Sequence, residues 1–257
     1  MEELIENKSA ILIQARSTST RLPKKVLLSL TLENQTKTVI EWIYERLRTG
    51  SINKIYFIIP DNDTILIKFL QEKNIPFLTG PLFDVRKRYI NAAESLKIEY
   101  IIRATADNPF VEPELLLPTI KELIYNQFDL FSFIGLPLGV SIEAFTLEAI
   151  KKGEQKYNDP LYKEHVSLHI KKHKEIFSVM HKEYLPFKQY LNQFFSKLNA
   201  KNFYLPRLTL DQIEDYNVFK IIYSKLKKNF TIYDVMELYF KEPEIFMGNQ
   251  HVEQRKF

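Results

Sequence analysis

The sequence predicts an α/β protein with a mostly parallel central sheet and helices on both faces. Over about the first 130 residues, apolar runs of strand type alternate with stretches whose apolar residues recur at helical spacing. Two polar motifs, 14–25 and 105–109, directly follow predicted strands. In such sheets ligands bind outside the carboxyl ends of the strands, so the same pattern also predicts where a site would lie.

In the first half of the chain, strands and helices are predicted to alternate regularly. The predicted strands are 10–13, 54–59, 76–79, 100–104 and 128–134. The predicted helices are 38–47, 61–73, 84–96 and 113–126, the last with a proline in its first turn, where the missing N–H costs nothing. We expect residues 1–8 to form a polar tail.

From Gly139 onward the regular succession of strands and helices ends. In segment 140–145, apolar and polar residues alternate one by one. Strands are expected over 176–180 and 205–210, and 187–202 is expected to be helical or irregular. Helices are expected over 147–154, capped by Thr146, and over 160–172, 213–226 and 232–240. No internal repeat or flexible linker divides the chain, which predicts a single domain over 1–257, with 139–200 as a substrate-side subregion.

Composition excludes several classes of protein. The chain has no cysteine, so disulfides and thiol catalysis are excluded. Its net charge of +4 is too small and too dispersed to indicate nucleic-acid binding, but it suits a polyanionic small ligand. No apolar run approaches the roughly 20 residues that cross a bilayer, and no secretory signal stands at the start. We therefore expect a cytoplasmic protein without membrane insertion. P-loop, HExxH, GxSxG and GxGxxG motifs are absent.

The segment 14–28 is the strongest candidate for chemistry. An apolar strand is followed by a loop that carries Arg16, Arg21 and Lys25 among four hydroxyl side chains. Cationic side chains, backbone N–H groups and hydroxyls bind anions such as a nucleotide triphosphate. The alternative interpretation is a solvated surface loop that is basic by chance.

The order of residues in this segment resembles the nucleotide-binding signature of sugar cytidylyltransferases, which make CMP-activated sugars. The family includes the CMP-Kdo and acylneuraminate enzymes, and the similarity is strongest to the SpsF branch, with the pattern QAR-x-x-S-T-R-L-P-x-K-V-L. The resemblance implies nucleotide binding by Gln14, Ala15, Arg16, Ser19, Thr20, Arg21 and Lys25 and catalytic roles for Arg16 and Lys25. Thr18 and Lys24 stand where this branch usually has glycine, which permits positive φ.

Asp107 and Asp211 are the candidate metal ligands. Each follows a predicted strand, although a turn-forming role for Asp107 and a helix cap at Asp211 are the alternatives. The segments around them resemble the family patterns R-x-T-A-D-x-P and R-L-T-x-D-T-P-E-D. This implies that the two aspartates bind Mg²⁺, that Asp107 is catalytic, and that Arg103, Thr105 and Ala106 contact the nucleotide.

The segment 80–89 resembles the family pattern G-x-x-x-D-V-x-x-R-Y. The resemblance implies that Gly80, Asp84 and Arg88 border the base and ribose. Taken alone, the segment is a helix start with an aspartate at the positive end of the dipole.

Two further segments resemble the sugar side of the family's site. Residues 139–145 match G-L-D-V-E-V-F with Glu143 retained, but Ser141 replaces the usual aspartate. Glu164 and His165 match E-H-V-T, which implies substrate binding. His165 also begins an i, i+4, i+8 series with His169 and His173; a zinc site there is a minor alternative to a solvated or partly packed helix face.

Together these resemblances imply a GT-A-like, Rossmann-related fold that binds CTP and transfers CMP to an acceptor, with Mg²⁺ as cofactor. The implied acceptor is a sugar, such as a nonulosonic-acid-like or other acidic sugar, and the implied assembly is a homodimer through 139–200. Three alternatives remain open: a phosphonate-type acceptor, a non-catalytic nucleotide-sugar-binding protein, and a glycosyltransferase that ignores free CTP.

Overall fold

The computed structural model describes residues 1–198 and 204–253. The strands are β1 Ser9–Gln14, β2 Ser29–Leu32, β3 Gln35–Thr38, β4 Ile55–Pro60, β5 Phe77–Gly80, β6 Tyr100–Thr105, β7 Leu130–Ile134, β8 Glu143–Thr146 and β9 Val179–Glu183. The helices are α1 Glu2–Lys8, α2 Val39–Arg48, α3 Thr64–Glu72, α4 Val85–Leu96, α5 Leu116–Tyr125, α6 Leu147–Lys156, α7 Pro160–Glu164, α8 Leu168–Lys172, α9 Leu185–Leu198, α10 Ile213–Lys225, α11 Ile232–Lys241 and α12 Pro243–Met247.

A seven-stranded sheet runs through the molecule in the order β5-β4-β1-β6-β8-β7-β9. Strands β5, β4, β1 and β6 pair in parallel, and β9 pairs in parallel with β7. Strand β8 is antiparallel to both of its neighbours, β6 and β7. The predicted α/β class with a mostly parallel sheet is confirmed. The sheet contains strands from both halves of the chain, and the single domain over 1–257 stays a prediction.

Both faces of the sheet are covered, which explains why β1 reads as an uninterrupted apolar run. Ile11 and Ile13 pack into the core that also contains residues of α2, α5 and α10. Ala10 and Leu12, on the opposite face, pack with residues of α4 and α6. All four side chains are fully buried, so β1 is held firmly from both sides and its carboxyl end has a fixed position.

The predicted polar tail at residues 1–8 is wrong, because seven of these residues form α1. Ile5 is the reason: its side chain is only 3% exposed and belongs to the core. One buried isoleucine in an otherwise charged segment gives too weak a period to predict an amphipathic helix.

The hairpin of β2 and β3 was not predicted. Leu30 and Leu32 are buried while Ser29 and Thr31 are exposed, which is the alternation of a half-covered strand. Glu33 and Asn34 have φ values of 45° and 67° and form the turn. Two consecutive residues with positive φ are typical of a two-residue hairpin loop, but glutamate is an unusual residue there.

Several elements predicted in the second half have a different form or position in the structure. The single helix expected over 160–172 is broken into α7 and α8, and Val166 between them is fully buried. The strand expected over 205–210 is an extended segment with one isolated bridge, between Arg207 and Leu138. The strand expected over 176–180 lies at 179–183, and the segment expected to be helical or irregular over 187–202 is helix α9 as far as Leu198; positions 199–202 lie outside the described residues.

Among the residues that the structure describes, no helix combines the length and apolar character needed to span a bilayer.

Candidate nucleotide-binding site

A cavity of about 350 Å³ opens where β1 and β6 end, at the carboxyl edge of the parallel part of the sheet. Fifteen residues proposed from the sequence line it: Gln14, Ala15, Arg16, Ser19, Thr20, Arg21, Lys25, Arg88, Arg103, Thr105, Ala106, Asp107, Glu164, His165 and Asp211. Val26 and Val85 complete the lining and were not proposed. Segments that are far apart in the sequence therefore converge on one concave surface, as the strand-end argument predicts.

The basic loop after β1 is fixed at its base by Asp63, which sequence reasoning missed. The backbone N–H and hydroxyl of Ser17 donate to the two carboxylate oxygens of Asp63, at 2.7 and 2.8 Å. Asp63 also caps α3 by accepting from the N–H of Leu66. Nothing in the local sequence distinguishes this aspartate from an ordinary helix cap, because its partner is 46 positions away.

Thr18 and Lys24, the two residues that stand where the family pattern has glycine, differ in backbone conformation. Thr18 is exposed and does not have a positive φ. Lys24 has φ 55° and ψ 28°, so lysine here adopts the left-handed conformation that glycine adopts at no steric cost. The next residue, Lys25, begins a 3-10 turn over Lys25–Leu27 that turns the chain back toward the cavity.

Lys25 joins the two candidate metal ligands. Its Nζ donates to Asp107 Oδ2 at 2.7 Å and to Asp211 Oδ1 at 3.1 Å. The third contact is with the carbonyl oxygen of Leu210, at 2.8 Å. Since one ammonium group touches both carboxylates, Asp107 and Asp211 lie close together beside the cavity; their role as metal ligands stays a prediction.

Asp211 is surrounded by positive charge. Arg21 and Arg207 each donate to one of its oxygens at 2.7 Å, and Lys25 adds a third cation. Although burial alone would raise it, Lys25, Arg21 and Arg207 hold the pKa of Asp211 below its ordinary value. The carboxylate therefore stays ionised in the neutral range.

The buried carboxylate of Asp215 supports the segment that carries Asp211. Asp215 accepts from the backbone N–H groups of Asp211 and Gln212 and from Arg207 Nε. It also accepts from Asn249 Nδ2 at 2.8 Å, a residue near the end of the described chain that sequence reasoning did not consider. The cap at the start of α10 is thus formed by Asp215 with Gln212, and Asp211 is left to face the cavity.

Arg103 and Gln14, on the neighbouring strands β6 and β1, both line the cavity. Arg103 Nε donates to Gln14 Oε1 at 3.1 Å, and the hydroxyl of Tyr89 donates to the same oxygen at 3.2 Å. Because both donors meet the amide oxygen, the amide nitrogen of Gln14 is left to donate elsewhere. Burial raises the pKa of Tyr89 to about 12, which keeps this hydroxyl protonated as a donor.

Three of the proposed site residues do not line this cavity. Asp84 caps α4, accepting from the N–H of Lys87 at 2.7 Å. Gly80 makes room for Arg88, because a Cβ at this position would lie 2.9 Å from Arg88 Cγ. The third, Glu143, lines a neighbouring cavity of about 230 Å³, together with Ser132.

The neighbouring cavity shares Arg103 and Thr105 with the first, so the two adjoin at the end of β6. Ser141, the residue that replaces the family's aspartate, lines this second cavity and donates from its hydroxyl to the carbonyl of Phe133 at 2.8 Å. The most serious departure from the family pattern therefore affects the second cavity and leaves the lining of the first unchanged.

The three histidines do not form one helix face. His165 lies in the break between α7 and α8 and lines the first cavity. The expectation of a solvated or partly packed face is wrong for His169, which is fully buried against Gly153 and Phe177. His173 is partly buried and stacks on Tyr157, with ring centroids 4.1 Å apart.

No cluster of three or more histidine and acidic side chains suited to a metal occurs within 1–198 and 204–253. A cation held by Asp107 and Asp211 would thus have two protein carboxylates. That donor set fits Mg²⁺, which binds hard oxygen ligands, retains several waters and takes substrate phosphates as further ligands.

A larger cavity of about 740 Å³ lies elsewhere, between α2 and the loop that precedes α11. Its lining includes Trp42, Arg48 and Phe230 but none of the residues proposed for the site. Volume alone would favour it, but Asp107 and Asp211 do not line it, and it lies away from the carboxyl edge where α/β sheets bind ligands.

Comparison with known proteins adds evidence independent of the cavity. The profile of a family described as Cytidylyltransferase matches residues 10–237. The spore coat polysaccharide biosynthesis protein SpsF of Bacillus subtilis is 29% identical over 229 residues, which cover 85% of this chain and 88% of SpsF.

Two solved structures extend the comparison. The structure of a cytidylyltransferase from Leptospira borgpetersenii superposes with a TM-score of 0.79 at 27% identity, covering 96% of this chain and 99% of its own. A CMP:2-keto-3-deoxy-manno-octonic acid synthetase complexed with CTP superposes with a TM-score of 0.55 at 12% identity, covering 74% and 99%. The second similarity concerns the fold alone.

Proposed function

This chain belongs to the cytidylyltransferase family, and we propose that it transfers CMP from CTP to a hydroxyl group of a sugar and releases pyrophosphate. The single observation that carries the proposal is the first cavity, in which basic side chains of one loop meet Asp107 and Asp211 at the carboxyl edge of the sheet. This arrangement provides what transfer of a nucleotidyl group needs, namely positive charge for phosphates and carboxylates for a divalent cation.

The triphosphate binds along the basic loop. Arg16, Arg21 and Lys25 all line the cavity, and their side chains are 46%, 31% and 13% exposed. Arg16 and Arg21 are accessible enough to reorganise around phosphate oxygens. Arg16 now pairs with Glu164 at 3.2 Å, across the cavity, and this exposed pair has little to lose when a phosphate replaces the carboxylate.

The nucleoside occupies the part of the cavity between β1 and α4. Gln14, with its oxygen held by Arg103 and Tyr89, offers its amide nitrogen to an acceptor such as a base carbonyl. The Val85 side chain at the start of α4 supplies an apolar surface. Asp84 and Gly80 contribute indirectly, since one caps α4 and the other leaves space for Arg88.

The acceptor occupies the second cavity, where Ser132, Ser141 and Thr105 offer hydroxyl groups. Its oxygen attacks the α-phosphorus of CTP, and the bond from that phosphorus to the bridging oxygen of the β-phosphate breaks. Pyrophosphate leaves with the bonding electrons, and the proton of the acceptor hydroxyl passes to water. The protein contributes mainly by positioning the two substrates and by compensating charge on the departing pyrophosphate.

Asp107 and Asp211 would hold Mg²⁺ against the phosphates. When bound, the cation supplies positive charge to the phosphoryl oxygens and polarises the attacking group. Arg207 helps to keep the Asp211 carboxylate ionised, and Asp215 holds the backbone of Asp211 by accepting from its N–H. Asp107 is fixed through its backbone, whose carbonyl accepts from the N–H of Leu210 at 2.7 Å.

A sugar is the acceptor that the relatives support best, since SpsF is named for polysaccharide biosynthesis. Whether the sugar is acidic is decided by mass spectrometry of the product formed from CTP and a panel of neutral and acidic sugars. A phosphonate-type acceptor in the same panel tests the main alternative, because its product has a different mass.

We also infer a homodimer through the subregion 139–200, whose last two residues lie outside the described chain. Leu161, Met180 and Leu185 are large apolar side chains in this subregion with exposures of 37%, 40% and 53%. Strand β9 is an edge of the sheet, so it could also pair with a second chain. A molar mass of one chain by light scattering would contradict this inference.

Pyrophosphate release from CTP with the acceptor panel tests the enzymatic proposal. Arg16→Ala and Lys25→Ala should each lower turnover by about 10²–10³, the usual effect of removing one preorganised electrostatic group. Arg48→Ala is the matched control, since it removes the same charge from the larger, remote cavity, and it should leave turnover near the unmodified rate. Near-normal rates in both site variants, or transfer from a finished nucleotide-sugar with no use of CTP, would contradict the proposal.

A further inference from the structure

The ammonium group of Lys25 has a full set of acceptors. It has three N–H donors, and its three contacts are with Asp107, Asp211 and the carbonyl of Leu210, all between 2.7 and 3.1 Å. The side chain is 13% exposed, so solvent screens these contacts only in part. Lys25 is therefore held firmly between the two aspartates at the wall of the cavity.

The same carboxylates are the ones that the proposed function, on which this inference rests, gives to Mg²⁺. Asp211 Oδ1 is occupied by Lys25 and Arg21, and Asp107 Oδ2 by Lys25. A divalent cation between these carboxylates would lie close to the ammonium group and be repelled by it. At a few ångströms in a partly buried site, this repulsion is only partly screened by solvent, so it weakens cation binding.

We propose that Lys25 blocks the divalent-cation site until a nucleoside triphosphate draws its ammonium group away. The triphosphate offers Lys25 new anionic acceptors inside the same cavity, and the carboxylates become free for the cation. Nucleotide and metal then bind with positive coupling, and by linkage each raises the affinity of the other by the same factor.

Asp107 and Asp211 differ in the ion-pair partners that remain when Lys25 leaves. Asp211 retains Arg21 and Arg207, which continue to hold it in position. For Asp107, Lys25 is the one ion-pair partner within the described residues. Release of Lys25 thus exposes one uncompensated carboxylate, which makes Asp107 the main source of new attraction for a cation.

The change in metal affinity when Lys25 is removed distinguishes this role from simple phosphate binding. If Lys25 only binds phosphate, its removal weakens CTP binding and leaves metal binding without nucleotide unchanged. If Lys25 blocks the cation site, its removal strengthens metal binding without nucleotide. The second outcome is a gain, which loss of folding cannot imitate.

The experiment is titration with Mn²⁺, followed by electron paramagnetic resonance, on the full chain without nucleotide. Lys25→Met, which keeps the length of the side chain, should bind Mn²⁺ about tenfold more tightly than the unmodified protein. Lys25→Arg, which keeps the charge, and Arg16→Ala, which removes a nearby cation that does not touch the aspartates, should each change this affinity by less than about threefold. Thermal unfolding of each variant checks that it is folded.

Adding Asp107→Asn to Lys25→Met should abolish the gain. An unchanged Mn²⁺ affinity in Lys25→Met, with Mn²⁺ binding in the presence of CTP still dependent on Asp107, would overturn this inference and leave the proposed function standing. Mn²⁺ binding in the presence of CTP that does not depend on Asp107 would instead overturn the metal site of the proposed function, and this inference with it.

Discussion

Two clusters of carboxylates and cations near the carboxyl edge of the sheet, around Asp107 and around Glu143, differ in how deeply their carboxylates are buried. In the first, Lys25 lies between Asp107 and Asp211, whose side chains are 28% and 14% exposed beside an open cavity. In the second, Glu143 is 9% exposed and both of its oxygens are occupied, one by Arg103 and Ser167 and the other by Lys171.

The comparison shows that burial decides whether an ion pair can exchange partners. A buried carboxylate with every acceptor position filled holds its neighbours in place, since losing any partner leaves an uncompensated charge in a medium of low dielectric constant. A carboxylate at the edge of a cavity can pass from an ammonium group to a metal ion. We therefore expect the Glu143 cluster to determine stability and the Asp107 cluster to determine activity.

The largest effect on stability should come from Glu143→Gln. Arg103 and Lys171 would lose the buried carboxylate that they share, and the free energy of unfolding should fall by about 3 kcal/mol. Urea denaturation measures this change. Glu99→Gln is the control, because it removes one partner of the exposed Lys8–Glu99 pair and should cost less than about 1 kcal/mol. Equal losses in the two variants would remove the distinction between the clusters.

The same contrast explains which parts of the site the sequence could predict. The basic loop and Asp107 lie in short segments after strands, where residue order and the strand-end rule are enough. The partners of Glu143 come from β6, α8 and the break before α8, so only the folded chain brings them together. The role of Asp63 was not predicted for the same reason, since its contact with Ser17 spans 46 positions.

The fold was predictable where strands and helices alternate and less so where this pattern ends. The parallel strands β1, β4, β5 and β6 lie close to their predicted positions, because apolar runs covered on both faces give a strong signal. Strand β8, inserted antiparallel between β6 and β7, depends on long-range pairing. The break between α7 and α8 buries Val166 and His169, and local periodicity shows only a continuous helix.

The next largest effect is a pH dependence of stability that arises on the side of the second cluster. Burial lowers the pKa of His169 to about 4, from an ordinary value of 6.5. Between these values the unfolded chain takes up a proton that the folded chain does not. The contribution of neutral His169 to the free energy of unfolding should therefore be fully present above pH 6.5. It should be lost as the pH decreases toward 4, and this loss is at most about 3 kcal/mol.

Glu143 should act in the same direction but at lower pH. Although burial alone would raise it, Lys171 and Arg103 hold the pKa of Glu143 well below 4.5, so its contribution is lost only as the pH falls below that value. Urea denaturation at pH 7 and pH 5 separates the two groups. His169→Gln should flatten the dependence in this interval, and a loss as steep as in the unmodified protein would show that another group is responsible.

The smallest effect concerns Lys24, the residue before Lys25. It tests how the loop positions Lys25 between Asp107 and Asp211. Lys24 has φ 55°, and its backbone N–H donates to the carbonyl of Ser17 at 3.1 Å, so the left-handed conformation is part of the loop that presents Lys25.

At an ordinary position, a protein with glycine is less stable than one with alanine by about 0.5–1 kcal/mol. At this position the order should reverse, because alanine pays a steric cost of about 1 kcal/mol that glycine avoids. Lys24→Gly should therefore unfold at a higher urea concentration than Lys24→Ala, with turnover similar in both variants. If alanine is the more stable, the loop does not require a positive φ at this residue, and the position of Lys25 depends on its ionic contacts with Asp107 and Asp211 alone.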